Sequence, residues 1–149
     1  MEQTLSILTI EDEPLIRQGI VNYLEDQGYT VLEAGDGQEG LEVFRRDKPD
    51  ILLVDLQMPV IDGFEVLDVV QQESPETPVI VISGVGILQQ AAHAVELGAW
   101  DFITKPIEDM FIVKHAIQKS WERAMLVQEN KKYREKRKRH TEEIHEQKS

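Results

Sequence analysis

Ile51-Leu52-Leu53-Val54, followed at once by Asp55 and Leu56-Gln57-Met58-Pro59, is the stretch on which the fold turns. Four consecutive apolar residues without polar alternation describe a strand buried on both faces, as in a parallel sheet flanked by helices. A second such run, Val79-Ile80-Val81-Ile82, has Pro78 before it and Ser83-Gly84 after it. Working outward, strands are expected over Leu5 to Ile10, Tyr29 to Ala34 and Asp101 to Thr104. Between them apolar residues recur every three or four positions: Ile16, Ile20, Tyr23 and Leu24; Leu41 and Phe44; Leu67 and Val70; Leu88, Ala91, Ala92 and Val95. That spacing lays one face of a helix on a sheet. Gly28 and Gly98 stand where helices should end, and Asp36 and Asp62 where helices should be capped. The five βα pairs with short connections predict an α/β fold, a doubly wound five-stranded parallel sheet.

The 149 residues suffice for one domain with a short extension. No run approaches the ~20 apolar residues of a membrane span, and the N-terminus lacks signal-peptide character, so a cytoplasmic location is expected. The absence of cysteine excludes disulfides, thiolate metal sites and cysteine nucleophiles. The net charge of −12 is uneven: residues 1–122 carry −16 and residues 123–149 carry +4. This division sets the expected boundary between a globular domain, 1–122, and a basic helical linker or tail, 123–149. So acidic a body repels nucleic acid and favours cations or basic partners.

In doubly wound folds ligands sit beyond the carboxyl ends of the strands. There the first strand offers Glu11-Asp12-Glu13, the third Asp55, the fourth Ser83-Gly84 and the fifth Thr104-Lys105-Pro106. Glu11, Asp12 and Asp55 would converge and repel one another unless a cation lay between them. Mg²⁺ suits such an oxygen set. Asp12 and Asp55 would bind it directly, Glu11 through water, and the Gln57 backbone carbonyl would add one oxygen. A carboxylate beside Mg²⁺ can also attack phosphorus, which makes Asp55 a candidate phosphoryl acceptor. Lys105, the Ser83 hydroxyl and the Gly84 amide would then donate to the phosphoryl oxygens. Pro106 would fix the backbone that aims the lysine, with a cis bond as one way of doing so. Singly these residues have bland readings: Asp55 a turn former, Ser83 a helix cap, Lys105 a surface cation. Their joint placement at separate strand ends outweighs those readings.

The segments Ile7 to Pro14, Asp50 to Pro59 with Asp62-Gly63, Pro78 to Gly84, and Gly98 to Pro106 resemble the receiver domain of two-component response regulators. Asp12, Asp55, Ser83 and Lys105 follow one another at separations of 43, 28 and 22 residues, and the likeness covers roughly residues 4–122. The resemblance implies a flavodoxin-like strand order 2-1-3-4-5. It also implies a histidine kinase or histidine phosphotransfer protein as phosphoryl donor, self-phosphorylation from small phosphodonors, and autodephosphorylation. The family's switch pair falls on Ser83 and Phe102, and Phe102 lacks the phenolic hydroxyl that tyrosine would bring. Gln57 and Val85 hold positions that flank the attacking water in related receivers. The fourth helix, fifth strand and fifth helix, roughly residues 87–122, would be the readout surface. Homodimerisation through that face or through the C-terminal helix is left open.

Two other classes stay in view. One is an adaptor that binds its partner without phosphorylation. The other is an aspartyl-phosphate phosphatase, although such enzymes usually need a second acid two residues after the nucleophile, where this chain has Gln57. His93, His115, His140 and His145 show no ligand or acceptor context, and Trp100 and Trp121 carry no assigned role. From Met110 a stripe of Val113, Ile117, Ser120, Ala124 and Val127 could pair with another helix. It fades where Lys131 to His140 begins, with seven basic residues in ten. A run that is basic without aromatic interleaving reads as a solvated helix or a disordered tail. The expected picture is a regulator's receiver and linker helix, with an output module or output protein that the sequence does not identify.

Overall fold

The computed structural model describes residues 4–84 and 88–147; Val85 and the side chains of His140 and His145 lie outside the described residues. Strands and helices alternate in the order β1 (Ser6–Ile10), α1 (Pro14–Asp26), β2 (Thr30–Ala34), α2 (Gly37–Asp47), β3 (Ile51–Asp55), α3 (Gly63–Glu73), β4 (Val79–Ser83), α4 (Leu88–Glu96), β5 (Asp101–Thr104) and α5 (Phe111–Gln147). The strands form one sheet in the order β2-β1-β3-β4-β5, and every neighbouring pair is parallel.

The two-residue period of a strand explains how one apolar run serves two cores. Leu52, Val54, Val79 and Val81 point into the cluster shared with α2, α3 and α4. Ile51, Leu53, Ile80 and Ile82 point the other way, into the cluster shared with α1 and α5. Because both faces are covered, no position in β3 or β4 is exposed.

The local signals act as their chemistry requires. Asp36 Oδ1 accepts from Glu39 N at 2.7 Å and Asp62 Oδ1 from Glu65 N at 3.0 Å, capping α2 and α3. Gly28 and Gly98 follow α1 and α4 with φ of +94° and +105°, left-handed backbone that other residues resist.

α5 departs from expectation. The stripe read as a seam for another helix is largely spent within the domain: Val113, Ile117, Ser120 and Ala124 are buried, with Val113 and Ile117 packed on the sheet. Three- and four-residue spacing fits a sheet as well as a helix, so the pattern alone could not choose. Beyond Ala124, Met125, Leu126 and Val127 face solvent. The helix then runs unbroken to Gln147 through residues 122 and 123, where the charge changes sign. It leaves the domain at the edge where the strands begin. Trp121 and Met125 line a groove there with Leu5, Tyr29 and Asp50, which stand at the beginnings of β1, β2 and β3.

Gly63 is where the fold presses directly on the chemistry. A Cβ at that position would lie 2.3 Å from the Asp55 carbonyl oxygen and 2.6 Å from Leu56 Cα, both rigid backbone. Gly63→Ala should therefore cost about 1–3 kcal/mol, read as a lower urea midpoint at unchanged m-value.

Candidate functional site

β1 and β3 are adjacent and in register, with Ile10 opposite Val54, so Glu11 and Asp55 arrive side by side. Both are 2% exposed. Lys105 follows β5, and its backbone N donates to the Ser83 carbonyl at 2.6 Å, which anchors the start of the loop. The Lys105–Pro106 peptide bond is cis. From there the lysine reaches over the end of β4. Its Nζ lies 3.0 Å from Glu11 Oε1 and 3.1 Å from Asp55 Oδ2. Asp55 Oδ1 accepts from Gln57 N at 3.1 Å, so each oxygen of the Asp55 carboxylate has its own donor. Asp12 completes the group: carboxylate oxygens of Glu11, Asp12 and Asp55 all lie within 4.8 Å of one another.

Crowding three carboxylates around one ammonium has an electrostatic cost. Burial, reinforced by the neighbouring Asp55, pushes Glu11 up to about 8 against the opposing pull of Lys105. For Lys105, burial disfavours the ammonium, but its bonds to Glu11 and Asp55 outweigh that and hold its pKa above the usual lysine value. The donors are all hard oxygens, and a cation among them would offset the charge that burial and the neighbouring acid make costly. The residues present therefore fit Mg²⁺.

Of the other residues singled out from sequence, Ser83 is fully buried at the end of β4, and its hydroxyl is turned to Gln90 rather than to Asp55. Gly84 follows it, with Gln57 Oε1 3.4 Å from where a Cβ would stand. Gln57 itself is exposed. Phe102 is half-buried against the cluster on the α3 and α4 side of the sheet. The structure thus brings Glu11, Asp12, Asp55 and Lys105 together and leaves Ser83 and Phe102 beside them.

Two residues escaped the sequence reading. Arg17 Nη1 donates to the backbone carbonyl of Glu11 at 2.8 Å while its Nε holds Glu33 at 3.2 Å, tying the acidic turn to α1 and β2. A long cation one turn into α1, just after three acidic residues, is the only signal that could have marked it. Gln90, the partner of Ser83, offers no signal beyond lying seven residues downstream.

A doubly wound sheet of order 2-1-3-4-5 with this acid cluster and lysine at its carboxyl edge defines a receiver domain. The sequence profile of the response regulator receiver domain matches residues 7–117, and the chain belongs to that family, the receivers of two-component systems. It is 40% identical over 102 residues to the nitrogen assimilation regulatory protein NtrX of Azorhizobium caulinodans, covering 67% of this chain and 22% of that protein. It is likewise 40% identical over 110 residues to response regulator RR06 of Streptococcus pneumoniae, covering 74% and 50%. The chain thus spans half or less of the length of these curated relatives. Among solved structures, a response regulator receiver domain protein of Clostridium thermocellum superposes with a TM-score of 0.78 at 32% identity, covering 83% of this chain and 98% of that one. Among the described residues no helix is long and apolar enough to cross a membrane.

The raised Glu11 makes a prediction with a definite sign. Between the ordinary glutamate value of 4.5 and about 8, the folded protein holds a proton on Glu11 that the unfolded chain has lost. Stability from this group is therefore complete below about 4.5 and is lost as pH rises through 8. In the presence of chelator, Glu11→Gln should melt higher than wild type at pH 8, by ~3 °C or more, and the gap should close toward pH 5.

Proposed function

We propose that Asp55 is the phosphoryl acceptor of a two-component phosphorelay, taking the group from a phosphohistidine with Mg²⁺ held by Asp12 and Asp55, by Glu11 through water, and by the Gln57 carbonyl. The observation that carries this reading is a nearly buried aspartate with a lysine ammonium at 3.1 Å and two further acids within 4.8 Å. When bound, Mg²⁺ supplies positive charge that offsets the three carboxylates and the incoming phosphoryl oxygens.

An Asp55 carboxylate oxygen forms the bond to phosphorus as the phosphorus–nitrogen bond to the imidazole breaks, and the departing nitrogen takes up a proton. Lys105 already touches Asp55 Oδ2, so a small movement brings its ammonium onto a phosphoryl oxygen. The Ser83 hydroxyl and the Gly84 amide donate to the same group once it is in place. Burial of Asp55 restricts access of bulk water. The product changes the charge at the strand ends, and that local change is what shifts partner binding through α4, β5 and α5.

The donor has a natural seat. An apolar groove of about 520 Å³, lined by Leu15, Ile16, Gly19, Ile20, Ile107 and Met110, opens beside Lys105 and Gly84. Leu15 is 89% exposed at its rim. A histidine-bearing partner seated there would bring its phosphoryl group to Asp55. Residues 123–149 serve as the linker toward the output, and the exposed Met125, Leu126 and Val127 support pairing of two copies along it.

Incubation with Mg²⁺ and acetyl phosphate should add the mass of one phosphoryl group, and Asp55→Ala should add none. An unchanged wild-type mass would sink the assignment. Leu15→Glu separates docking from chemistry. It should slow transfer from a histidine kinase that phosphorylates the wild type by about tenfold, while the rate with acetyl phosphate stays the same.

A further inference from the structure

Ser83 Oγ donates to Gln90 Oε1 at 2.7 Å. Ser83 is fully buried, and Gln90 lies on α4, the helix nearest in sequence to the end of β4. A serine hydroxyl has a single proton to give. The oxygens of a phosphoryl group on Asp55 are acceptors only, so Ser83 can reach them only by turning that proton away from Gln90. We propose that Gln90 is a positioning residue: it withholds the Ser83 hydroxyl from Asp55 and clasps α4 to β4 while Asp55 is unmodified. The proposal rests on Asp55 being the acceptor.

The competition has a clear direction. A neutral hydroxyl-to-amide hydrogen bond biases an equilibrium by about threefold to tenfold. The same hydroxyl donating to a charged phosphoryl oxygen makes a stronger, charge-assisted bond. The phosphoryl group therefore wins the proton, and Gln90 sets how much of its binding energy is spent in doing so. Once the proton is lost, Gln90 no longer fastens α4 to the strand end.

The sheet register shows what lies beneath that clasp. Val81 pairs with Phe102 and Ser83 with Thr104. Ser83 follows Val81 by two residues and so shares its face, and Phe102 packs against the cluster on that same face, which includes Ala94 of α4. Opening the Ser83–Gln90 bond thus loosens a helix that shares its apolar cluster with Phe102. This provides a route from Asp55 to the α4 surface that needs no hydroxyl on the aromatic residue.

Gln90→Met keeps the length of the side chain and replaces the amide oxygen with a thioether, a far weaker acceptor. With acetyl phosphate and Mg²⁺ it should be phosphorylated about threefold to tenfold faster than wild type. Gln90→Glu, a charged acceptor, should be slower than wild type. Both effects should vanish in a Ser83→Ala background, a result that a purely structural role for Gln90 would not produce. Gln90→Leu serves as the variant with no acceptor at all, and circular dichroism checks that each variant folds. If the wild type takes up phosphoryl but Gln90→Met and Gln90→Leu react at its rate, the clasp is overturned and the acceptor assignment stands. The same holds if their acceleration persists without the Ser83 hydroxyl. A wild type that takes no phosphoryl group overturns the acceptor assignment and the clasp with it.

Discussion

Glu11 and Asp55 lie side by side, almost wholly buried, with the Lys105 ammonium bridging them. Two acids so placed cannot both ionise without a counter-charge, and the only one that bonds them within the described residues comes from the far side of β4. The bridge therefore does more than join side chains. It makes the loop after β5 answer to charge at the ends of β1 and β3. A change in the charge on Asp55 alters the force on Lys105, and through it the backbone that is anchored to Ser83.

The remainder of the fold keeps that charge cluster in a fixed frame. Alternating apolar residues in β3 and β4 are locked into cores on both faces, leaving the strand ends little freedom to separate. Gly63 lets the start of α3 close against the Asp55 carbonyl, and Arg17 holds the carbonyl of Glu11 from the other side. Rigidity in the sheet thus coexists with a few polar bonds at its rim that can exchange partners. Such an arrangement suits a two-state element: the frame transmits a change at one strand end without absorbing it.

Much of this was legible in the sequence, for identifiable reasons. β3 and β4 announce themselves because doubly buried strands must be continuously apolar, and Glu11, Asp12, Asp55 and Lys105 because a parallel sheet brings all strand ends to one edge. Strand order rested on family likeness, since apolar runs do not say which strands are neighbours. The seam on α5 was misjudged because helical spacing records that a face is buried and not what buries it. Arg17 and Gln90 stayed hidden because they act through individual hydrogen bonds, Arg17 to Glu11 and Glu33 and Gln90 to Ser83, and not through a repeated pattern. Pairings of that kind leave no periodicity behind.

The unbroken course of α5 has a mechanical side. From Leu126 to Gln147 the helix extends beyond the domain for roughly 30 Å at 1.5 Å per residue. Its root is held to β5 and the preceding turn by Lys119 on Asp101 at 3.2 Å and by Arg123 over the Trp100 ring at 5.2 Å. A rigid rod clamped at one end magnifies rotation. A tilt of ~5° at the root would sweep the far end through roughly 3 Å, given that length. Displacements too small to rearrange the domain itself would then become, at the tip, large enough to make or break contact with whatever the rod touches.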